Sequence, residues 1–236
     1  MALILNIETS TEVCSVSLAK NGQLLFKKES TDGMNHSRLL TVFIEQLFAE
    51  NNILINTIDA VAVSKGPGSY TGLRIGVSVA KGLCYGLNIP LISINSLEIL
   101  GIFVSQNLAK YDVSNDGNTL LFCPMIDARR MEVYTALYNS VGEEIRPVSA
   151  EIVDENFLSE IFENHKILFF GNGAEKCKSL IKHKNAFFEG PMKTSAQFMQ
   201  TIAEEKFDKE EFENVAYFEP FYLKNFVATI PKNKIL

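Results

Sequence analysis

SKGPGSYTGLRIGVSVAKGLCYGL, residues Ser64 to Leu87, reads as the end of a buried strand passing through a glycine–proline turn into a helix, and six of its residues are glycine. The apolar run Ala60 to Val63 supplies the strand. In Lys65-Gly66-Pro67-Gly68 the glycines permit positive φ and the proline fixes its own, which is turn chemistry. Beyond the turn, Gly72, Gly76 and Ala80 recur every fourth residue, as do Gly82 and Gly86. A glycine inside a helix costs about 0.8–1 kcal/mol relative to alanine. Four of them in one predicted helix call for a second backbone at close range. A phosphate, a sheet and another subunit are the candidates for it.

Upstream, Leu3 to Ile7 and Val13 to Leu18 are apolar runs separated by the small polar turn Glu8-Thr9-Ser10-Thr11. Asn21-Gly22 is a strong hairpin signal, and Gln23 to Lys28 returns as a third strand. Leu39, Leu40, Phe43, Ile44, Leu47 and Phe48 repeat at spacings of three and four, so Ser37 to Glu50 is an amphipathic helix. Downstream, a strand at Pro90 to Ile94 and a helix from Ser96 to near Asn107 complete a β-β-β-α-β-α unit. Asp112 to Asn118 has the composition of an exposed connection. The order then repeats: strands at Leu120 to Ile126, Glu132 to Tyr138 and about Ile145 to Ile152, a short helix near Asn156 to Phe162, and a strand at Ile167 to Phe170. Gly171-Asn172-Gly173 opens another helix, and Thr194 to Glu205 is a last one. Two such halves, without detectable sequence repetition, predict a duplicated α/β fold.

With 22 basic and 28 acidic residues the chain carries a formal charge of −6, so as a whole it is no strong nucleic-acid binder, while a local basic patch stays open. Glu204 to Glu213 holds six acids against two lysines and reads as a solvated helix end. Cys14, Cys84, Cys123 and Cys177 form no C-x-x-C pair and read as reduced core thiols of a cytosolic protein. Met1 leads directly into a strand without a basic leader, and no apolar run approaches a membrane span, so a cytoplasmic location is expected. The tail Tyr217 to Val227, YFEPFYLKNFV, is too aromatic to be left in water and is expected to pack on the body or on a partner.

The visible catalytic equipment is sparse. Thr9, Ser10 and Thr11 could offer amides and hydroxyls to a phosphate, although turn formation alone accounts for them. Gly171-Asn172-Gly173 could admit a nucleotide, but Lys176 stands where a dinucleotide fingerprint needs its last glycine. The Gly66 region is not a Walker loop, since no Gly-Lys-Ser/Thr follows. His36, His165 and His183 show no metal-ligand spacing, and Ser69 lacks the frame of an elbow nucleophile. Asp127 is the best-placed carboxylate, yet Asp127-Ala128-Arg129 also reads as a hairpin turn.

Ile7-Glu8-Thr9-Ser10-Thr11, His36-Ser37, the specific run Gly66 to Gly76 (GPGSYTGLRIG), Asp127-Ala128-Arg129 with Glu132-Val133-Tyr134, and Pro220-Phe221-Tyr222-Leu223 together resemble the TsaB, or YeaZ-like, family. The resemblance implies an α/β, two-lobed, duplicated fold of the actin, sugar-kinase and Hsp70 (ASKHA) type with RNase H-like halves. Residues 1–107 would form a lobe carrying partner-binding helices, 108–214 a second lobe, and 215–236 a tail packed back on the body. It also implies a non-catalytic scaffold or activator that pairs with the catalytic paralogue TsaD, which transfers a threonylcarbamoyl group to the adenosine following the anticodon of tRNA. TsaD carries two metal-binding histidines four apart on the corresponding helix, whereas here His36 is followed four residues later by Leu40.

The interface implied by the resemblance comprises His36, Leu40, Phe43, Leu47, Gly72, Arg74, Gly76, Val79, Gly82 and Gly86. Thr9, Ser10, Thr11, Gly171 and Gly173 are a candidate vestigial nucleotide site. No catalytic or metal-binding residue is expected, and no cofactor for the isolated chain, with ATP or ADP entering only in the assembled complex. The implied partners are TsaD, the P-loop ATPase TsaE, tRNA only through the complex, and a second copy when the chain is alone, with no membrane. The alternatives are an ATP-dependent small-molecule kinase of the same superfamily, using Thr9, Ser10 and Gly171 to Gly173, and a glycopeptidase-like enzyme.

Overall fold

The computed structural model describes residues 2–33, 35–111, 113 and 119–224. The first half comprises β1 (Leu3–Glu8), β2 (Cys14–Lys20), β3 (Gln23–Ser30), α1 (His36–Glu50), β4 (Ala60–Gly66), α2 (Tyr70–Leu87), β5 (Leu91–Asn95) and α3 (Ser96–Gln106). Asn21 and Gly22 both take positive φ, 55° and 69°, the two-residue turn whose twist matches antiparallel strands, and Lys20 accordingly faces Gln23. β4 and β5 add in parallel on the other side of β1, giving the order β3-β2-β1-β4-β5.

The second half repeats this plan with β6 (Thr119–Asp127), β7 (Glu132–Tyr138), β8 (Glu144–Ile152), β9 (His165–Phe170), α4 (Ala174–Cys177), β10 (Ala186–Phe188) and α5 (Gln200–Asp208). Its sheet runs β10-β9-β6-β7-β8, with β6, β7 and β8 antiparallel and β6, β9 and β10 parallel. Replacing β6 to β10 by β1 to β5 reproduces the first sheet, so the duplication expected from element order is present in strand topology. The connection expected at Asp112 to Asn118 lies, apart from Val113, outside the described residues.

The helices of the second half depart from expectation. The helix anticipated at Asn156 to Phe162 is a series of turns ending in a 3-10 turn at Ile161–Glu163, because Leu158 takes a φ of 59° that no α-helix accommodates. Phe157, Leu158 and Phe162 are instead buried in the outer core of the second sheet, where burial outweighs helical propensity. The helix after Gly173 is a single turn, α4, and the last helix begins as a 3-10 turn at Ala196–Met199 before α5. β10 is three residues long, too short to leave a periodic signal.

Alternation along the strands sorts the core into layers. Leu5 and Ile7 of β1 face α1 and α2, whereas Ala2 and Ile4 face the opposite side with Met199, Ile202 and Ala203. α3 lies between the two sheets: Ile99 joins the inner face of the first, and Leu97, Leu100 and Val104 join Phe122, Leu168 and Phe170 on the inner face of the second. Gly101 is required here, since a Cβ would come within 2.9 Å of the Tyr138 ring on β7. Phe103 of α3 and Phe198 stack at a centroid distance of 3.8 Å. α5, which follows the second sheet in sequence, packs on the first. α3 is thus shared between the sheets, and α5 covers the inner face of the first.

The four cysteines are free and buried. Burial pushes the Cys84 and Cys123 thiols up to about 12, so they stay protonated and act as small apolar core residues. Among the described residues, no helix is long and apolar enough to cross a membrane.

Because α3 is shared, Leu100→Ala, at a fully buried position, is expected to cost about 2–5 kcal/mol. Urea unfolding followed by circular dichroism should then show one transition shifted as a whole. Two separated transitions would mean that the sheets unfold independently.

Candidate functional site

The second backbone demanded by the glycines belongs to this chain. A Cβ on Gly68 would run into the carbonyl of Ser10, one on Gly72 into the carbonyl of Thr9, and one on Gly76 into Thr9 Oγ1. α2 therefore starts directly against the β1–β2 turn. Ser69 N–H donates to Ser10 O at 2.6 Å, the Ser69 hydroxyl caps the helix by accepting from Gly72 N–H, and Thr9 Oγ1 donates to Gly72 O at 2.9 Å. A Cβ on Gly82 or Gly86, by contrast, would meet nothing within 4 Å, and both positions are exposed.

Glu8 closes the network from beneath. It is fully buried, and its Oε1 accepts from Ser10 N–H at 2.6 Å and from the Ser64 hydroxyl at 3.0 Å, while Oε2 has no partner. Burial disfavours the charge and holds this carboxyl above the ordinary carboxylate range, with the Ser10 and Ser64 donors compensating in part. The amide of Ser10, which a phosphate in this turn would use, is thereby taken by a side chain of the protein. Thr9 and Ser10 are fully buried, and Thr11 is turned to Thr194, their hydroxyls 2.7 Å apart.

The facing wall comes from the second half. Gly171, at φ 94°, lies against the carbonyl of Met125, and a Cβ on Gly173 would sit 3.0 Å from Ile126 C, so these glycines let their turn pack on the end of β6. Asn172 between them accepts from Asp127 N–H and donates to Glu12 Oε2, both at 2.9 Å, which ties the halves together. Asp127 is a hairpin residue: its Oδ1 accepts from Arg129 N–H at 2.8 Å and is bound by Lys176. Lys176 also donates to the carbonyls of Arg130 and Glu132, so the residue that breaks the dinucleotide fingerprint clamps the β6–β7 hairpin.

Between these walls lies a cleft of about 800 Å³. The C-terminal segment crosses its mouth. Phe218 is buried in the first core, Phe221 N–H donates to Lys65 O at 2.7 Å, Tyr222 lies against Tyr70, and Lys224 pairs with Glu132 of β7. Of the tail aromatics, Phe218 is packed on the body and Phe221 and Tyr222 line the cleft, whereas Tyr217 is 84% exposed; Asn225 to Val227 lie outside the described residues.

The expected interface residues fall into two sets. His36, Leu40, Leu47, Gly72 and Gly76 are buried within the chain, with His36 and Gly72 among the residues that line the cleft. His36 Nε2 lies 3.1 Å from Val13 O, and Leu40 is 1% exposed in the first core, so this pair does not fit a metal. Phe43 and Val79 are half-buried, and Arg74, Gly82 and Gly86 are exposed, with Tyr85 beside them at 85% exposure. Sequence reasoning assigned no role to Glu8 or Lys176, and took Asn172 only as part of a turn that could admit a nucleotide. The position of Glu8 at a strand end, and of Lys176 beside a glycine turn, could have pointed to them.

Two consequences follow for stability. Gly86→Ala is expected to raise it by about 0.8–1 kcal/mol and Gly72→Ala to lower it, as read from thermal melts. Below its ordinary value near 4.5, Glu8 is protonated in folded and unfolded chains alike. As pH rises past that value the unfolded chain releases a proton that the folded chain keeps, so stability falls until the raised folded value is reached. Glu8→Gln should therefore gain on the wild type as pH rises above about 4.5 in denaturant titrations, with little difference below it. A difference independent of pH would show that Glu8 does not titrate in this way.

Residues 31–232 match the model of the family described as TsaD: tRNA N6-adenosine threonylcarbamoyltransferase. The chain is 31% identical over 234 residues to the tRNA threonylcarbamoyladenosine biosynthesis protein TsaB of Escherichia coli, covering 95% of this chain and 96% of that one. It is 28% identical over 236 residues to the TsaB of Haemophilus influenzae, covering 95% and 94%. YeaZ from Pseudomonas aeruginosa superposes with a TM-score of 0.76 at 24% identity, covering 94% of this chain and all of that one, which establishes the shared two-lobed α/β fold. With the family model matched over residues 31–232 and a TsaB 31% identical over 95% of the chain, the chain belongs to the TsaB branch of the TsaD family.

Proposed function

We propose that this chain is a non-catalytic subunit of tRNA threonylcarbamoyladenosine biosynthesis that pairs with a TsaD-type catalytic paralogue through the exposed face of α1 and α2. The observation that carries this reading is the split among the glycines of α2. Gly72 and Gly76 repay their helical cost by close packing inside the chain, whereas Gly82 and Gly86 face open space beside the exposed Tyr85. A cost of about 0.8–1 kcal/mol each, with no return in the monomer, is what a close helix–helix contact with a partner would offset.

Phe43 and Val79 extend that face at half-buried positions. The buried carboxylate at Glu8 and the leucine at position 40 support a role without phosphate or metal chemistry at the β1–β2 turn. TsaE and a second copy of the chain belong to the same proposal as further occupants of the assembly. The kinase alternative needs the amides that Glu8 and the glycines already engage, and it predicts tight Mg-ATP binding by the lone chain in calorimetry.

The purified chain alone should leave tRNA unmodified and restore threonylcarbamoyl transfer when its TsaD-type paralogue is added. Full transfer by the chain alone would overturn the reading. Gly82→Arg, on an exposed position, should abolish co-elution with the paralogue while leaving the melting curve near that of the wild type. Undiminished co-elution would take this face out of the interface.

A further inference from the structure

The cleft mouth combines a tilted pair of aromatic rings with exposed guanidinium groups. The rings of Tyr70 and Tyr222 lie 4.8 Å apart with an interplanar angle of 35°, and the guanidinium of Arg74 stands 5.5 Å from the centre of the Tyr70 ring. Tyr222 remains 37% exposed. Across the cleft, the β6–β7 hairpin carries Arg129 and Arg130, both exposed and both at positive φ, 72° and 49°.

Of the nearby acids, Asp127 is bound by Lys176 and Glu132 by Lys224, while Glu12 accepts from the neutral amide of Asn172 and keeps its charge. Among the described residues, Arg74, Arg129 and Arg130 have no ion pair and stand exposed on a chain whose formal charge is −6.

We propose that this mouth binds single-stranded RNA, with the exposed ring of Tyr222, backed by Tyr70, as the platform for an unstacked base and Arg129, Arg130 and Arg74 as contacts to its phosphates. The inference rests on the reading of the chain as a subunit acting on tRNA, and it assigns to that subunit an RNA contact of its own. Aromatic faces stack on any base, and guanidinium groups at the flanks meet the backbone, which is the chemistry by which proteins hold splayed single strands. A cleft of about 800 Å³ admits splayed nucleotides rather than a paired helix, so a loop fits and a stem does not. Lys224, paired with Glu132 at the rim, anchors the C-terminal segment that presents Tyr222.

The test uses a fluorescein-labelled anticodon stem–loop RNA and anisotropy titrations between about 50 and 200 mM KCl, with the chain alone and with the chain plus its TsaD-type paralogue. Arg129→Asn with Arg130→Asn removes both charges, and asparagine tolerates the left-handed backbone, so the hairpin is retained. The double variant is expected to bind at least about tenfold more weakly and to lower the log–log salt slope by about 1.4, the share of two single-strand phosphates. Tyr222→Ala is expected to weaken binding by about five- to 150-fold, the range for loss of one base stack. Melting curves near that of the wild type confirm that the variants fold.

RNA binding unchanged in both variants, or absent for the wild type with and without the paralogue, overturns the proposal. Loss of co-elution in the arginine variant with RNA binding intact assigns the patch to an acidic protein surface and overturns it as well. Failure of the wild type to pair with the paralogue counts instead against the subunit reading, and RNA binding by the lone chain is still read separately.

Discussion

The contact between the β1–β2 turn and the first turns of α2 sets the positions of most other elements. Two backbones meet there without an intervening side chain because residues 68 and 72 are glycine, and Gly76 leaves room for the Thr9 side chain. Close approach leaves the turn no room for water, so its backbone groups take partners in the chain. Glu8 accepts from Ser10 N–H, Ser64 Oγ from Thr9 N–H, and Ser10 O from Ser69 N–H, whereas the Ser10 hydroxyl has no partner. The end of β1, the end of β4 and the start of α2 are thereby locked together, and α2 is aimed so that its far end emerges at the surface with Gly82, Tyr85 and Gly86.

The same contact decides what the turn can do chemically. An anion at this position would compete with a carboxyl already bound to Ser10 N–H, inside a site that disfavours charge. The opposite wall is likewise committed, with Gly171 and Gly173 packed on β6 and Lys176 holding Asp127. Polar groups that in isolation look like ligands are used to join strands to turns. What stays exposed is the rim, where Arg129, Arg130, Arg74 and Tyr222 stand around a cleft closed at one side by the C-terminal segment.

Between the sheets, the two halves share helices. α3 contributes Ile99 to one sheet and Leu97, Leu100 and Val104 to the other, and α5 returns from the end of the second half to the first sheet. Neither inner sheet face is covered without an element contributed from the other half or held in common. Asn172 to Glu12 and Lys224 to Glu132 add polar ties across the cleft, but the buried apolar layer is the larger contribution, since exposed ion pairs contribute about 0–1 kcal/mol.

Alternating apolar runs, the Asn21-Gly22 turn and helical periodicity in residues 37–50 and 70–87 were sufficient to read both halves as one repeated plan, because each signal is local and strong. The helices of the second half were less legible: Leu158 adopts a positive φ and β10 spans three residues, features fixed by burial rather than by propensity. The site was legible only as residue types. Sequence determined that the glycines of α2 needed a close neighbour, and its quoted motifs pointed to the TsaB family. Tertiary structure alone decided which neighbour each had, the β1–β2 turn for Gly72 and Gly76 and open space for Gly82 and Gly86. Helical spacing places a residue on a face, but the direction of that face depends on contacts with residues distant in sequence.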